Sequence, residues 1–447
     1  MSATVQRLIG YEITDSNGNP TIEVELTLSN GFKVRSGVSS DNVINTFGRK
    51  ELRDHDMQHY QGLGVKTALT LINTHIAPRL VNLSVGNQLQ IDNWIQKSDG
   101  TEDSSKLGIN TMMVLSQVFA KAAAYTLNIP LYKYIAGYYQ QLTKEPITLE
   151  KIPTPVIAAL SGGKHAEFES FEFLPSSSMP FSQAYEMCID LYHSLQTIFD
   201  QNSIEFSKNY SGEFIPNKNA NTDMIESMLD AVQRKGLKLG KHIFLGLKIN
   251  ANAFYSHGRY TLHDRPTSLT QEDYYNYVSE IIGKYSVLML EDPFATEDID
   301  GWRKLFVNMG EQIYILGHKY LGDNMEIVES MDTQKTLTGM VFKPSYFGTI
   351  TAAMKVINRA KKQNVPFVIS SDRGETNDDF IADFGMGVQA DFLKFGAPNQ
   401  GERIAKYNRL LKIEQEARML AAAQQSKGGT QAEQKAPAQT NSQQSNT

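Results

Sequence analysis

Short apolar runs that each end in an ionisable residue recur through the second half of the chain. Residues 243–247 lead into Lys248, 287–290 into Glu291 and Asp292, 313–317 into His318, 340–342 into Lys343, and 392–393 into Lys394. Amphipathic helical patterns over 222–235, 271–284, 350–363 and 403–416 lie between and beyond these runs. Strand and helix patterns that alternate at roughly 25 to 40 residue intervals predict a parallel sheet with crossover helices. About eight strand candidates, and no glycine-rich phosphate loop after the first, favour a closed eight-stranded α/β barrel over an open doubly wound sheet. A barrel of this kind gathers the polar residues at its strand C-termini into one mouth, where active sites are built.

The first third follows a different pattern. Strand-like segments at 8–13 and 21–28 flank the turn Asp15-Ser16-Asn17-Gly18-Asn19-Pro20, which predicts a β-meander. Residues 109–127 are rich in helix formers and apolar on several faces, which predicts a buried helix. The expected organisation is an α+β domain over 1–137, a polar linker over 138–151 and the barrel over 152–416. Residues 417–447, dominated by Gln, Ala, Ser, Thr and Gly, carry too little apolar surface to order themselves and read as a solvated tail.

Composition narrows the function classes. In 447 residues, 41% hydrophobic and 21% charged content is that of a globular protein with a large core. A net charge of −6 supplies no basic field for nucleic acid, and no segment approaches the ~20 apolar residues of a membrane span. The start lacks the regions of a secretory signal, so a reducing cytoplasm is the expected compartment. The single cysteine, Cys188, excludes an intramolecular disulfide and sits in an apolar helical run, as a packing residue would.

Five segments in one order carry a resemblance: Asp15-Ser16-Asn17-Gly18-Asn19-Pro20-Thr21, Gly162-Gly163-Lys164-His165-Ala166, Leu290-Glu291-Asp292-Pro293-Phe294, Gly374-Glu375-Thr376 and Arg403-Ile404-Ala405-Lys406-Tyr407-Asn408. Together they resemble the enolase family, the glycolytic 2-phosphoglycerate dehydratases. The resemblance implies an N-terminal α+β domain on an eight-stranded barrel, in a homodimer. It also implies a lysine base, a glutamate acid and Mg²⁺ ions that stabilise an enediolate. The base position aligns with Lys343, the second active-site lysine with Lys394, the loop histidine with His165, a substrate-side acid with Glu172, and the central metal carboxylate with Glu291.

Other positions depart from the family. The remaining two metal aspartates align with Lys248 and His318, and the general-acid glutamate with Ser211. The family's mobile loop reads Ser40-Asp41-Asn42-Val43-Ile44-Asn45, and its Ser-His-Arg-Ser run reads Ser370-Ser371-Asp372-Arg373, leaving Arg373 one residue from the phosphate-binding position. A cage of three carboxylates becomes Lys248, Glu291 and neutral His318, with no net charge. An ammonium about 4 Å from a divalent ion repels it by roughly 8 kcal/mol at an effective dielectric near 20. The Lys248 ammonium is therefore expected in the metal's place, paired with Glu291, with no cofactor and with Mg²⁺ weak or absent. Ser211 is too weak an acid to protonate a leaving hydroxide near neutral pH, and Glu213, two positions on, substitutes for it only if the loop register shifts. The leading expectation is a pseudoenzyme that binds or assembles, pairing with itself or an authentic enolase, with a small anionic ligand at the lysine-rich mouth. A working Mg²⁺-dependent enolase and another lyase or isomerase using Lys343 and Lys394 are the alternatives.

Overall fold

The protein was analysed as a computed structural model, which describes residues 3–41, 48–322 and 335–433. Of the loop expected at Ser40 to Asn45, residues 42–45 lie outside the described residues, as does 434–447.

The meander is a three-stranded antiparallel sheet of Val5–Thr14, Pro20–Leu28 and Lys33–Gly37. Its first turn is closed by Asp15, whose Oδ1 accepts from the Asn17 and Asn19 amides, both at 2.8 Å. The helix Ile109–Thr126 is buried along nearly its whole length and packs on this sheet, which explains a sequence apolar on every face. The next helix, Leu131–Thr143, runs past the expected domain boundary at 137.

Eight strands close the barrel: Thr154–Leu160, Ser170–Pro175, Ile243–Lys248, Val287–Glu291, Tyr314–Gly317, Gly339–Phe342, Phe367–Ser370 and Phe392–Gly396, with the last pairing back onto the first. One feature corrects the all-parallel expectation. Ser170–Pro175 runs antiparallel to both its neighbours. The connection over 161–169 is too short for the dozen or more residues of a parallel crossover, so the chain turns back as a hairpin. As a result the beginning of this strand, not its end, lies at the barrel mouth, with Ser170 opposite Lys248.

Inside the barrel the period of two sorts floor from mouth. Val156, Leu174, Met289, Leu316, Val341, Val368 and Phe392 form one buried apolar cluster. Two residues toward the mouth, on or just past the same strands, stand Glu172, Glu291, His318, Lys343, Ser370 and Lys394. Gly246 takes the equivalent interior position before Lys248, where a Cβ would come within 2.6 Å of Leu174 Cδ1 and 3.0 Å of Glu172 Oε2. The sequence ladder is this alternation.

The N-terminal domain reaches the mouth through the residues after Gly37. Ser40 and Gly374 exchange both backbone hydrogen bonds, at 2.7 and 2.9 Å. A side chain at Gly374 would meet Asp15 Oδ2 at 2.0 Å and the Ser40 carbonyl at 2.5 Å, so this approach requires glycine. Lys121 pairs with Asp378 across the same seam at 2.6 Å. The final helix, Gly401–Glu433, continues past 416, so residues 417–433 carry helical backbone where composition predicted an unstructured tail. Among the described residues no helix is long and apolar enough to cross a membrane.

Candidate functional site

A cavity of about 660 Å³ opens at the mouth, and Lys248, Glu172, Ser211, Glu291, His318, Lys343, Arg373 and Lys394 all line it. His165 does not. Its loop turns back on itself, with the His165 amide donating to the Gly162 carbonyl at 2.9 Å.

Glu291 is the centre of the first cluster. It is buried, and Lys394 donates directly to its Oε2. Lys394 also lies 3.3 Å from Glu172 Oε1. Lys248 sits 4.0 Å from Glu291 Oε1 but only 2.7 Å from Glu169 Oε1, to which it is hydrogen bonded. The expected Lys248–Glu291 pair is present at 4.0 Å, but each residue has a closer partner, Lys394 for Glu291 and Glu169 for Lys248. Glu169 precedes a strand, and only the reversal of Ser170–Pro175 brings it to the mouth.

Burial opposes the charge on Glu291, but Lys394 and Lys248 outweigh it and hold the carboxyl below its usual range. Glu169 behaves alike: burial is overcome by Lys248, with help from Arg373 and Lys319, and its pKa falls to about 2. Glu172 goes the other way. Burial, against the pull of Lys394 and with the push of Glu291 and Glu213, raises it to about 7. His318 is driven down to about 3 by burial and then by Lys343, with Lys248 and Lys394 adding to the effect, so its imidazole is neutral near pH 7.

Lys343 forms the second cluster. Its Nζ lies 3.0 Å from the Tyr346 hydroxyl, 3.2 Å from Asp41 Oδ2 and 3.5 Å from Asp372 Oδ1. Tyr346 donates to the same Asp41 oxygen at 2.6 Å, and Ser39 bonds to Asp372. Burial works against the lysine's charge, yet Tyr346, Asp372 and Asp41 raise its pKa well above the ordinary value. Asp41 is itself placed from its own domain, its amide donating to Glu51 Oε1 at 3.0 Å while Arg53 grips Glu51. Two flanking carboxylates favour the charged form of the lysine.

The acid position lies on the tip of a hairpin, Phe206–Lys208 with Phe214–Pro216, beside the first barrel strand. Ser211 Oγ donates to Glu213 Oε2 at 2.8 Å, and Ser170 and Asn209 donate to the same carboxyl. Burial raises the Glu213 pKa against these three hydrogen bonds. Glu213 therefore reaches the cavity wall, with its oxygens engaged.

Glu291, Asp292 and His318 offer ligand atoms within 4.8 Å of one another. Mg²⁺ requires near-octahedral oxygen donors at ~2.0–2.1 Å. Here one Glu291 oxygen holds Lys394, and the two Asp292 oxygens accept the His318 and Lys319 amides at 2.9 and 3.0 Å. The third donor is an imidazole, a borderline ligand suited to softer ions. This donor set does not fit Mg²⁺.

Comparison with known proteins agrees with the architecture. Residues 5–135 match the family model described as the enolase N-terminal domain, and residues 150–434 match the one described as the enolase C-terminal TIM barrel domain. The chain is 35% identical to the enolase of Ehrlichia chaffeensis over 415 residues, covering 92% of this chain and 96% of that protein. It is 34% identical to the enolases of Ehrlichia canis and Ehrlichia ruminantium, with the same coverage. With both domains matched in order and the barrel closed as the family requires, the chain belongs to the enolase family.

Proposed function

We propose that this enolase-family protein does not dehydrate 2-phosphoglycerate and works instead as a metal-independent binding protein. The observation that carries this reading is the state of its lysines. Lys343 and Lys394 stand at the family's two active-site lysine positions, and each is a buried ammonium paired with carboxylates of the protein itself. Proton abstraction from carbon requires a free amine, and here deprotonation would leave buried carboxylates without their counter-charge. Glu291 is committed in the same way, and Ser211 cannot serve as the acid.

What the mouth retains is recognition chemistry: an open cavity of small-molecule size with cations at its rim. The test is direct. Purified protein is mixed with 2-phosphoglycerate and Mg²⁺, and phosphoenolpyruvate absorbance is followed against a buffer blank and an active enolase. No turnover above the blank is expected. Mg²⁺-dependent formation of phosphoenolpyruvate that Lys343→Met abolishes would overturn the proposal.

A further inference from the structure

Two Asn–Gly pairs occupy the two turns of the meander, Asn17-Gly18 before the strand Pro20–Leu28 and Asn30-Gly31 after it. The turns are built alike. In the first, the Asp15 N–H donates to the Asn19 carbonyl at 2.8 Å and the Gly18 N–H to the Asp15 carbonyl at 3.0 Å. In the second, the Leu28 N–H donates to the Phe32 carbonyl and the Gly31 N–H to the Leu28 carbonyl, both at 2.8 Å. Both glycines hold a positive φ, +77° and +83°, with nothing within 4 Å of the place a Cβ would take, and all four residues are exposed. An Asn–Gly pair lets a backbone nitrogen attack the side chain before it, because glycine sets no Cβ beside the nucleophile.

The two asparagine side chains differ. The Asn17 carboxamide has no hydrogen bond among the described residues, and other groups pin its turn. Asp15 Oδ1 holds the Asn17 and Asn19 amides, while Ser16 donates its N–H to the Glu375 carbonyl at 2.8 Å and accepts the Glu375 N–H on Oγ at 3.2 Å. In the second turn the asparagine side chain is itself the brace. Asn30 Oδ1 accepts the Phe32 N–H at 3.1 Å, a bond to the backbone two residues on that folds the carboxamide over the intervening Gly31 nitrogen. The oxygen that gains negative charge when Cγ is attacked therefore already faces a donor. That donor is held in place, since the Phe32 ring stacks on Tyr125 of the helix Ile109–Thr126, centroids 3.3 Å and planes 4° apart.

We infer that Asn30 is a self-deamidating residue, with the Gly31 nitrogen as nucleophile, the Phe32 N–H as oxyanion donor and Tyr125 as the positioning residue. The Gly31 N–H leaves the Leu28 carbonyl and gives its proton to hydroxide. Its nitrogen then bonds to Asn30 Cγ, the Cγ–Nδ2 bond breaks, and ammonia departs with a proton taken from water. Water next adds to one carbonyl of the succinimide ring and cleaves one of its C–N bonds, which leaves an aspartyl or isoaspartyl residue at position 30. One water enters and one ammonia leaves. The isoaspartyl product lengthens the main chain of the turn by a methylene and parts Phe32 from Tyr125.

The full chain, folded or unfolded in urea, is incubated in mildly alkaline buffer. Conversion at each asparagine is followed by peptide mass, which rises by one unit, and by isoaspartyl methyltransferase labelling. In urea the two pairs convert at like rates. Folding speeds Asn30 and slows Asn17, so that their ratio reaches at least tenfold, short of the ~10²–10³ that a preorganised oxyanion donor supplies in an enzyme. The Asn30 rate rises with hydroxide concentration. Tyr125→Ala, shown to be folded by circular dichroism, returns Asn30 to its rate in urea and leaves Asn17 unchanged, while Asn30→Gln stops conversion at that position. Folding that slows Asn30, conversion of Asn17 that keeps pace with it, or a Tyr125→Ala rate equal to the parent's each overturns the inference.

Discussion

Lys394 is neutralised from within the barrel, by Glu291 and Glu172 on two other strands, whereas Lys343 is neutralised across the domain seam, by Asp41 of the N-terminal domain together with Asp372. The first is a fixture of the barrel's own interior. The second is a clasp, for Asp41 arrives on the segment that pairs Ser40 with Gly374 and is seated by Glu51 and Arg53. The difference teaches that one barrel mouth uses like residues for two jobs, closing a barrel and joining two domains. The largest expected effect follows from it. Lys394→Met strands the buried Glu172 and leaves the buried Glu291 only Lys248, 4.0 Å away, and a loss of about 3–5 kcal/mol is expected in urea denaturation. Lys343→Met costs less, about 2–3 kcal/mol, because Asp41 keeps the Tyr346 hydroxyl and Asp372 keeps Ser39. If Lys343→Met proves the more damaging of the two, the division into fixture and clasp is wrong.

That division was half legible in the sequence. The strand ends Lys248, Glu291, His318, Lys343 and Lys394 announced the mouth, because strands pointing one way release their last side chains at one rim. Glu169 was hidden for the same reason, since it precedes its strand and reaches the rim only because that strand is reversed. The short 161–169 connection carried the signal for the reversal, and it was the length rather than the composition of the loop that mattered. The partner of Lys343 was harder to find. Asp41 lies some three hundred positions away in another domain, and no local pattern links them; only the closed fold does.

A second comparison, between the neighbours Glu169 and Glu172, sharpens the picture through pH. Glu169 is depressed to about 2, below the ~4.3 of a free glutamate, so it adds stability that is present above ~4.3 and lost as pH falls toward about 2. Glu172 is raised to about 7, so its contribution is complete below ~4.3 and is lost as pH rises through about 7. Replacing Glu172 by Gln removes only the second effect. The melting temperature of Glu172→Gln, relative to the parent, is expected to climb from about pH 5 to about pH 8 by the linkage of proton binding to folding. A difference that stays flat or falls over this range would mean that Lys394, not burial, governs Glu172.

The smallest expected effect concerns Mg²⁺. A ligand that binds only the folded state raises stability by an amount set by its concentration over its dissociation constant, about 2.7 kcal/mol at a hundredfold excess. Because Glu291 already holds Lys394 and both Asp292 oxygens hold backbone amides, millimolar Mg²⁺ is expected to leave the melting temperature unmoved, in the parent and in Glu291→Gln alike. The contrast comes from Lys248→Asp combined with His318→Asp, which restores two carboxylates beside Glu291 and removes the nearest competing cation from Glu169's side of the cage. That double variant should gain a Mg²⁺-dependent rise in melting temperature that Glu291→Gln then cancels. A rise already present in the parent and cancelled by Glu291→Gln would show that the lysines yield to the metal, and the mouth would have to be read as a metal site after all.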